Sequence, residues 1–299
     1  MTERPSPTAD TEQAAGVVVT GANAGLGLET ARALAGTRRP LLLLCRDRRR
    51  GEAAAHGIRD EAAARTGMSS APIHVVRCDL EDFASVREAA EEVRALCPRP
   101  AALVNNAGVY RARLERTAAG FERTMATNHL GHFLLTLLLE PDLRAAGSRI
   151  VQVTSKAHEN GRLGRRPLDE ILRGPADYRG FGAYSDSKLA NVLFVRELER
   201  RWGADVIPIA VHPGVLASKI WDRNRTVAMW FVRRLTRFMR DPADAGRELA
   251  GIATAPEWDE RGGAYVNRTE PVDPTLPEEP ERLAAELWGR SAEAVGLAT

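Results

Sequence analysis

Tyr184 and Lys188 stand four positions apart in the stretch YSDSK, at the start of an apolar segment with helical character. Side chains at positions i and i+4 of a helix lie on the same face, so the phenol and the ammonium are predicted to be neighbours. A nearby cation favours an ionised phenol, so Lys188 is expected to lower the pKa of Tyr184 from its ordinary value near ~10. Such a tyrosine could exchange a proton with an alcohol or carbonyl oxygen. A lysine that simply faces water is the plainer interpretation.

Short apolar runs and longer amphipathic segments alternate around this pair. Strands that alternate with helices of these lengths predict a parallel sheet, and near-continuous apolar strands fit a sheet buried on both faces. We therefore predict an α/β fold, a single-domain Rossmann-type doubly wound parallel sheet with helices on both faces. The predicted strands lie in 16–21, 40–45, 73–80, 101–108, 148–155 and 204–214, and the predicted helices in 26–35, 46–66, 83–96, 117–139 and 184–202.

A glycine-rich turn, TGANAGLG at 20–27, follows the first predicted strand and opens a helix. Gly21, Gly25 and Gly27 would let the backbone turn tightly and approach a ligand closely. The helix start would then offer free N–H groups and a positive dipole end to a pyrophosphate. A glycine triplet by itself also fits a simple tight turn, but the strand–turn–helix context is that of a dinucleotide site.

The end of the second strand predicts which dinucleotide binds. An acidic residue there would bind the ribose of NAD, whereas arginine accommodates the 2′-phosphate of NADP. The sequence places Cys45 at that position and Arg46 directly after it. The arginines at 46 and 48–50 oppose the helix dipole unless an anion binds there. We therefore predict NADP(H), held by Arg46, with a solvated basic turn or a ribose contact from Asp47 as alternatives.

Composition excludes several other classes of protein. The 299 residues carry a net charge of +2, which gives no reason to expect nucleic acid as a partner. Three cysteines without CxxC spacing argue against a disulfide framework or a zinc site, and we expect no metal. No apolar run is long enough to span a membrane, and residues 1–14 have the character of a disordered polar tail. These features predict a cytoplasmic protein without stable membrane insertion.

Six short motifs give the chain its resemblance to a known family. TGANAGLG, NNAG, TNHLGHF, VTS, YSDSK and HPG occur in the order seen in short-chain dehydrogenases/reductases. The closer resemblance is to the retinol dehydrogenase and WW-domain oxidoreductase branch, whose sequences are similar to CRD, GHFLLT, SKLANVLF and HPGV. The resemblance covers about residues 15 to 297, and it is specific for fold and reaction class rather than for substrate.

The resemblance implies a role for each matching residue. Tyr184 would be the acid/base, Lys188 would bind the nicotinamide ribose, and Ser155 would hydrogen-bond the substrate oxygen. Asn128 would hold a water that links Lys188 to solvent, and Asp79 would contact adenine. A strand-end cap, a bend in a helix and an N-cap are the structural alternatives for Ser155, Asn128 and Asp79. The implied cofactor-binding residues are Gly21, Asn23, Gly25, Leu26, Gly27, Arg46, Asp79, Leu80, Asn105, Asn106, Ala107, Gly108, Tyr184, Lys188, Pro213, Gly214, Val215 and Ser218.

Two further segments are expected to shape a substrate site within the predicted domain, residues 15–299. The insertion 156–182 separates Ser155 from Tyr184 and is predicted to form a wall of the cleft. Segment 215–240 is predicted to be a lid, because 226–240 presents an apolar stripe beside arginines. Association of that basic amphipathic helix with a membrane surface is the alternative.

These observations predict an NADP(H)-dependent oxidoreductase that interconverts an alcohol and a ketone or aldehyde on a moderately large apolar substrate, in the direction of carbonyl reduction. A non-catalytic NADP(H)-binding sensor or scaffold is the alternative. A sugar-nucleotide epimerase or dehydratase is a weaker option, because those relatives usually carry TGxxGxxG and a larger C-terminal domain. The resemblance also leaves open a homodimer through the two long helices that flank the site.

Overall fold

Eight strands form one sheet in the computed structural model of the chain, which describes residues 15–37, 39–66, 71–215 and 240–297. They are Val17–Thr20 (β1), Leu41–Cys45 (β2), Ile73–Arg77 (β3), Ala102–Asn105 (β4), Arg149–Val153 (β5), Ile207–His212 (β6), Tyr265–Asn267 (β7) and Glu270–Pro271 (β8). Their order is β3-β2-β1-β4-β5-β6-β7-β8, with parallel pairing from β3 to β7 and an antiparallel β8 at the edge. The sequential order reverses between β1 and β4, where open α/β sheets bind ligands.

Helices cover both faces of this sheet, and the alternation of side chains along each strand divides the core in two. Val18 of β1 packs in one cluster, whereas Val17 and Val19 pack in the other. The predicted doubly wound α/β fold is confirmed. The described helices are Gly25–Leu34 (α1), Arg48–Thr66 (α2), Phe83–Leu96 (α3), Arg123–Met125 (α4), Gly131–Leu138 (α5), Glu140–Ala146 (α6), Leu168–Arg173 (α7), Gly180–Trp202 (α8), Pro242–Thr254 (α9) and Pro280–Val295 (α10).

The helix predicted over 117–139 starts later and is interrupted. The Glu122 carboxylate accepts hydrogen bonds from the backbone N–H groups of Thr124 (2.9 Å) and Met125 (2.7 Å), so it caps a helix that begins at Arg123. A π-helical turn, Ala126–Leu130, then joins α4 to α5. Strands β7 and β8 were not predicted, because they are only three and two residues long. The predicted tail 1–14 and most of the predicted lid, 216–239, lie outside the described residues.

The C-terminal helix α10 packs on the two helices that flank the site. The Trp288 ring centroid lies 5.1 Å from that of Phe133 in α5 and 5.8 Å from those of Phe194 and Trp202 in α8. The Arg201 guanidinium covers the same indole at 4.5 Å. This face of α5 and α8 is therefore occupied by the chain itself. Among the residues that the structure describes, no helix has the length and apolar character needed to cross a membrane.

Candidate functional site

The predicted site residues gather where parallel strands end. Strands β1, β2, β4, β5 and β6 run in the same direction, so their carboxyl ends lie at one edge of the sheet. The glycine turn, Arg46, the NNAG turn, Ser155 and the HPG turn each follow one of these ends. Helix α8 carries Tyr184 and Lys188 to the same edge.

Tyr184 and Lys188 are neighbours, as the spacing predicts. The Lys188 Nζ atom lies 5.7 Å from the centroid of the Tyr184 ring, and both side chains are buried. Two hydrogen bonds fix α8 against the end of β5: Lys188 Nζ donates to the Val153 oxygen at 3.0 Å, and the Thr154 hydroxyl donates to the Lys188 oxygen at 2.7 Å. Strand and helix thereby set the position of the ammonium beside the phenol.

The predicted lowering of the Tyr184 pKa is wrong for the protein by itself. Burial raises the pKa of Tyr184 above its ordinary value, and the hydrogen bond with Ser155 lowers it by less. Burial also lowers the pKa of Lys188, to about 8, because it disfavours the ammonium. Lys188 is still predominantly charged at pH 7, but Tyr184 is held as a neutral phenol. A neutral phenol is the form that can give a proton to a carbonyl oxygen.

Ser155 lies beside Tyr184 at the end of β5, as predicted. Its hydroxyl also accepts a hydrogen bond from the Ala157 N–H at 3.2 Å, so it caps the 3₁₀ turn Lys156–Asn160. The cap, the structural alternative for Ser155, is therefore present together with the contact to the phenol. The His158 ring fixes the backbone here, with Nδ1 at 2.9 Å from the Ser155 oxygen.

Asn128 lies in the π-helical turn, fully buried. Its amide oxygen accepts from the Val109 N–H at 2.8 Å, and its amide nitrogen donates to the Val109 oxygen at 3.1 Å and to the Ser187 hydroxyl at 3.0 Å. A Cβ atom on Gly108 would lie 3.5 Å from the Asn128 amide oxygen and 3.7 Å from Lys188 Nζ. Gly108 therefore faces both predicted relay residues. The water bridge assigned to Asn128 stays a prediction.

The glycine turn is tightly packed at Gly27 and open at Gly25. Gly27 packs so tightly that a Cβ atom would lie 2.5 Å from the Gly21 oxygen, whereas a Cβ atom on Gly25 would meet nothing within 4 Å. Gly21 and Gly25 have φ of 66° and 56°, a region that favours glycine. The N-cap residue, Ala24, makes no side-chain hydrogen bond to the first turn of α1, and that turn holds no acidic residue. Its N–H groups can therefore receive an anion. Asn23 and Leu26 belong to the same turn.

At the end of β2, Cys45 is buried against the glycine turn, and Arg46 is exposed. Burial raises the pKa of the Cys45 thiol to about 11, opposed by hydrogen bonds from the backbones of Ala22 and Asn23. The Arg46 side chain is 56% exposed and lies 3.8 Å from a Glu81 oxygen, so it can reach an anion. Asp47, the alternative ribose ligand, accepts from the Arg50 N–H at 3.2 Å in the first turn of α2.

The ends of β3 and β4 are followed by or carry two more of the predicted cofactor residues, Asp79 and Asn105. Asp79 is not the N-cap of α3: its carboxylate accepts from the Glu81 N–H at 3.2 Å, and Asp82 caps the helix. Leu80 follows as a buried residue. The Asn105 amide donates to the buried Thr136 hydroxyl at 3.0 Å, and its contact with the cofactor stays a prediction.

The turn that follows Asn105 is fixed to β1. Asn106 donates from its amide to the Thr20 oxygen at 2.8 Å. The backbone N–H groups of Asn106 and Ala107 both donate to the Thr20 hydroxyl at 2.9 Å. This turn is therefore held against the strand that leads into the glycine turn.

The HPG turn after β6 is held by Arg240, the first residue described after position 215. The Arg240 guanidinium donates to the Pro213 oxygen at 3.0 Å and pairs with Glu248 at 2.5 Å. Gly214 has a φ of 86°. Val215 is 61% exposed at the same edge. Ser218, the remaining cofactor residue of the prediction, lies outside the described residues.

Three residues at this site escaped the sequence analysis. The Tyr110 ring meets the Tyr184 ring edge-on at 6.2 Å, two residues after the NNAG turn. Gly180 packs under the same loop, where a Cβ atom would lie 2.4 Å from the Arg111 oxygen. Asp186, inside YSDSK, accepts from the Arg162 side chain at 3.1 Å and so attaches the insertion 156–182 to α8. Only the short distance of Tyr110 from NNAG could have suggested it.

Comparison with known proteins decides the family. A family model described as short chain dehydrogenase matches residues 15–166. Human retinol dehydrogenase 12 is 36% identical over 283 residues, which cover 94% of this chain and 86% of that protein. The chain belongs to the short-chain dehydrogenase family. It falls in the retinol dehydrogenase-like branch, as the motifs predicted, and it is an NAD(P)-dependent oxidoreductase that acts on CH–OH donors.

Other relatives agree with this assignment. Mouse polyprenol dehydrogenase is 35% identical over 292 residues, covering 93% of this chain and 83% of that protein. A crystal structure of an uncharacterised Mycobacterium paratuberculosis protein is 33% identical, with a TM-score of 0.71 and coverage of 95% and 94%. The blue fluorescent protein from a metagenomic library, solved with NADPH, shares the fold at 24% identity and a TM-score of 0.66, with coverage of 88% and 97%.

Proposed function

We propose that this enzyme is an NADP(H)-dependent carbonyl reductase for a moderately large apolar ketone or aldehyde, with Tyr184 as the acid/base. The observation that carries the proposal is the grouping of a neutral phenol, a hydroxyl and an ammonium at one sheet edge, in Tyr184, Ser155 and Lys188. When bound, the dinucleotide supplies the hydride. Tyr184 gives its proton to the substrate oxygen, and Ser155 donates a hydrogen bond to that oxygen as negative charge grows there.

The protonation states support reduction as the direction. Burial raises the pKa of Tyr184, so the phenol holds a proton to give at neutral pH. The charge of Lys188 would stabilise the phenolate that remains after the transfer, and the ammonium would bind the nicotinamide ribose. Asn128, which lies beside Gly108 as Lys188 does, would hold the water that returns a proton from solvent.

The choice of NADP(H) rests on Arg46. The β2 end offers a buried thiol, Cys45, where an NAD-binding enzyme would place a carboxylate, and Arg46 extends beside it into solvent. The ion pair between Arg46 and Glu81 is long, at 3.8 Å, and the arginine is exposed, so the pair is weak. A 2′-phosphate can therefore take the place of the Glu81 carboxylate. Asp47 accepts a hydrogen bond from the Arg50 N–H at the start of α2, which favours Arg46 over Asp47 as the cofactor contact.

Exposed apolar groups at the site support an apolar substrate. Phe181 precedes Tyr184 by one helical turn and is 49% exposed, and Val215 is 61% exposed at the same sheet edge. Tyr110 and the insertion 156–182 would form one wall of the cleft, with the segment 215–240 as its lid. The related enzymes act on retinol and polyprenol by name, which fits this class of substrate.

A homodimer through α5 and α8 stays a prediction. The cytoplasmic location stays a prediction.

The test is a screen of carbonyl compounds with NADPH consumption as the readout. We expect turnover with large apolar ketones or aldehydes and little with small charged ones of equal reactivity. Preference for charged carbonyls, or consumption of NADH in preference to NADPH, would contradict the proposal. A purified chain that binds NADPH but reduces none of the carbonyls would favour the sensor alternative for this member of the family.

A further inference from the structure

We propose that His132 is a positioning residue of this site. Its ring joins the backbone oxygen of Asn128 to the hydroxyl of Thr20. It thereby holds the π-helical turn 126–130, which carries Asn128, against the cofactor turns, which are the glycine turn 20–27 and the NNAG turn 105–108. The inference rests on the proposed function and deepens it. His132 would act on the site through its two partners, the Asn128 backbone oxygen and the Thr20 hydroxyl.

The ring of His132 bridges two parts of the site that are far apart in sequence. Its Nδ1 atom lies 3.0 Å from the Asn128 oxygen, and its Nε2 atom lies 2.9 Å from the Thr20 hydroxyl. The side chain is buried, with 1% of its surface exposed. The Thr20 hydroxyl also receives the N–H groups of Asn106 and Ala107.

The hydrogen-bond partners determine where the ring carries its proton. The Asn128 oxygen can only accept, so Nδ1 must donate and Nε2 must be the acceptor. The Thr20 hydroxyl then donates to Nε2 at 2.9 Å, in preference to the Val104 oxygen at 3.4 Å. Its lone pairs are left for the two N–H groups that it accepts. A single neutral tautomer satisfies the whole network.

The ring remains neutral across the pH range in which the enzyme would work. Burial lowers the pKa of His132 to about 3; the hydrogen bond with the Asn128 backbone raises it by less, and the charge of Lys188 lowers it further. Protonation would put a hydrogen on Nε2 and break the bond that Thr20 donates. The neutral state therefore keeps the bridge intact.

The bridge acts on the π-helical turn that carries Asn128. In that turn the Gly131 N–H bonds to the Ala126 oxygen, five residues earlier, and such turns often occur at functional sites. The Asn128 amide makes two hydrogen bonds with the backbone of Val109. Val109 directly follows Gly108, which lies beside Lys188 Nζ. A shift of Asn128 would therefore move the wall next to the ammonium.

His129 offers a matched control in the same turn. It is also 1% exposed, and burial lowers its pKa to about 4. Its Nε2 atom lies 2.9 Å from the Ser291 hydroxyl in α10, and its ring also interacts with the Asn191 side chain of α8. Replacing His129 therefore removes a buried histidine from the same turn without removing either hydrogen bond of the His132 bridge.

The experiment separates the two ends of the bridge. In His132→Asn the amide nitrogen can replace Nδ1 and donate to the Asn128 oxygen, but the side chain cannot reach Thr20. In His132→Gln the amide oxygen can replace Nε2 and accept from the Thr20 hydroxyl, but the Asn128 oxygen loses its donor. We expect H132Q to lose about tenfold or more in kcat and to shift the pH profile of kcat, with NADPH affinity within about threefold. We expect H132N to weaken NADPH binding by about tenfold, with kcat within about threefold.

Equal losses of kcat and NADPH affinity in H132N, H132Q and H129N would overturn the inference, and so would parent-like values in both His132 variants. Fluorescence titration with NADPH needs no turnover, so a failed proposed function, seen as an inactive parent, leaves the affinity half of the test in place. The ring ¹⁵N shifts of the parent test the tautomer without any variant: a proton on Nε2 of His132 at pH 7 would contradict the network.

Discussion

Replacement of Lys188 by methionine tests the electrostatics of the site through stability. Methionine has a similar length and no charge, so it removes the buried ammonium while keeping much of the packing. The Val153 oxygen loses one donor, but Asn191 still donates to it at 3.2 Å. The loss of this bond should not vary with pH, whereas the removal of the charge should.

The size of the effect follows from the shifted pKa. Burial lowers the pKa of Lys188 from 10.5 to about 8, so between these values the unfolded chain binds more protons than the folded one. Stability of the parent therefore rises with pH in this window. The burial of the ammonium costs about 3 kcal/mol at pH 7 and about 1.4 kcal/mol at pH 9.5. The stability of K188M relative to the parent should fall by about 2 kcal/mol over that interval.

Urea unfolding at pH 7, 8, 9 and 9.5 measures this difference for the parent and for K188M. Lys156→Met is the control, because Lys156 is exposed near the same site and reports the removal of a solvated lysine. A K188M difference that stays constant within about 0.5 kcal/mol, or that grows with pH, would refute the lowered pKa of Lys188 and the burial argument with it.

Three further substitutions test other parts of the site. Arg46→Ala should weaken NADPH binding by about tenfold and leave NADH binding nearly unchanged, as titrated by fluorescence; a preserved preference would remove Arg46 from the 2′-phosphate site. Gly27→Ala should abolish dinucleotide binding, because its Cβ atom would lie 2.5 Å from a backbone oxygen of the turn, whereas Gly57→Ala, with open space around it, should bind normally. Gly180→Ala should lower kcat/KM for the carbonyl by about tenfold with NADPH affinity intact. The reason is that its Cβ atom would push the backbone at Arg111, next to Tyr110, whose ring contacts Tyr184. An unchanged kcat/KM would show that this loop does not shape the site.

The fold was predictable because its signals are local. The strands are short apolar runs whose two faces are both buried, and this pattern is visible without knowledge of their neighbours. Helix α3 has its predicted bounds, 83–96, because Asp82 caps its first residues. The glycine turn was predictable for a similar reason. Gly21 and Gly25 have positive φ values, a conformation that few residues other than glycine adopt, so the glycines themselves mark the turn in the sequence.

The rest depends on tertiary surroundings. The i,i+4 spacing placed Tyr184 beside Lys188, but the direction of the Tyr184 pKa shift is set by burial under the rest of the chain, which spacing does not report. The π-helical turn, the cap from Glu122 and the contact of Tyr110 with Tyr184 join segments whose approach no local pattern predicts.

The proposed role of Tyr184 is tested most directly by Tyr184→Phe, which removes one hydroxyl and keeps the ring between Tyr110 and Lys188. We predict that kcat falls by ~10²- to ~10⁴-fold with a carbonyl that the parent reduces, while NADPH affinity stays within about twofold, because the lost group is the proton donor and not a main anchor of the cofactor. A variant that reduces the same carbonyl at the parent rate would contradict the assignment of Tyr184 as the acid.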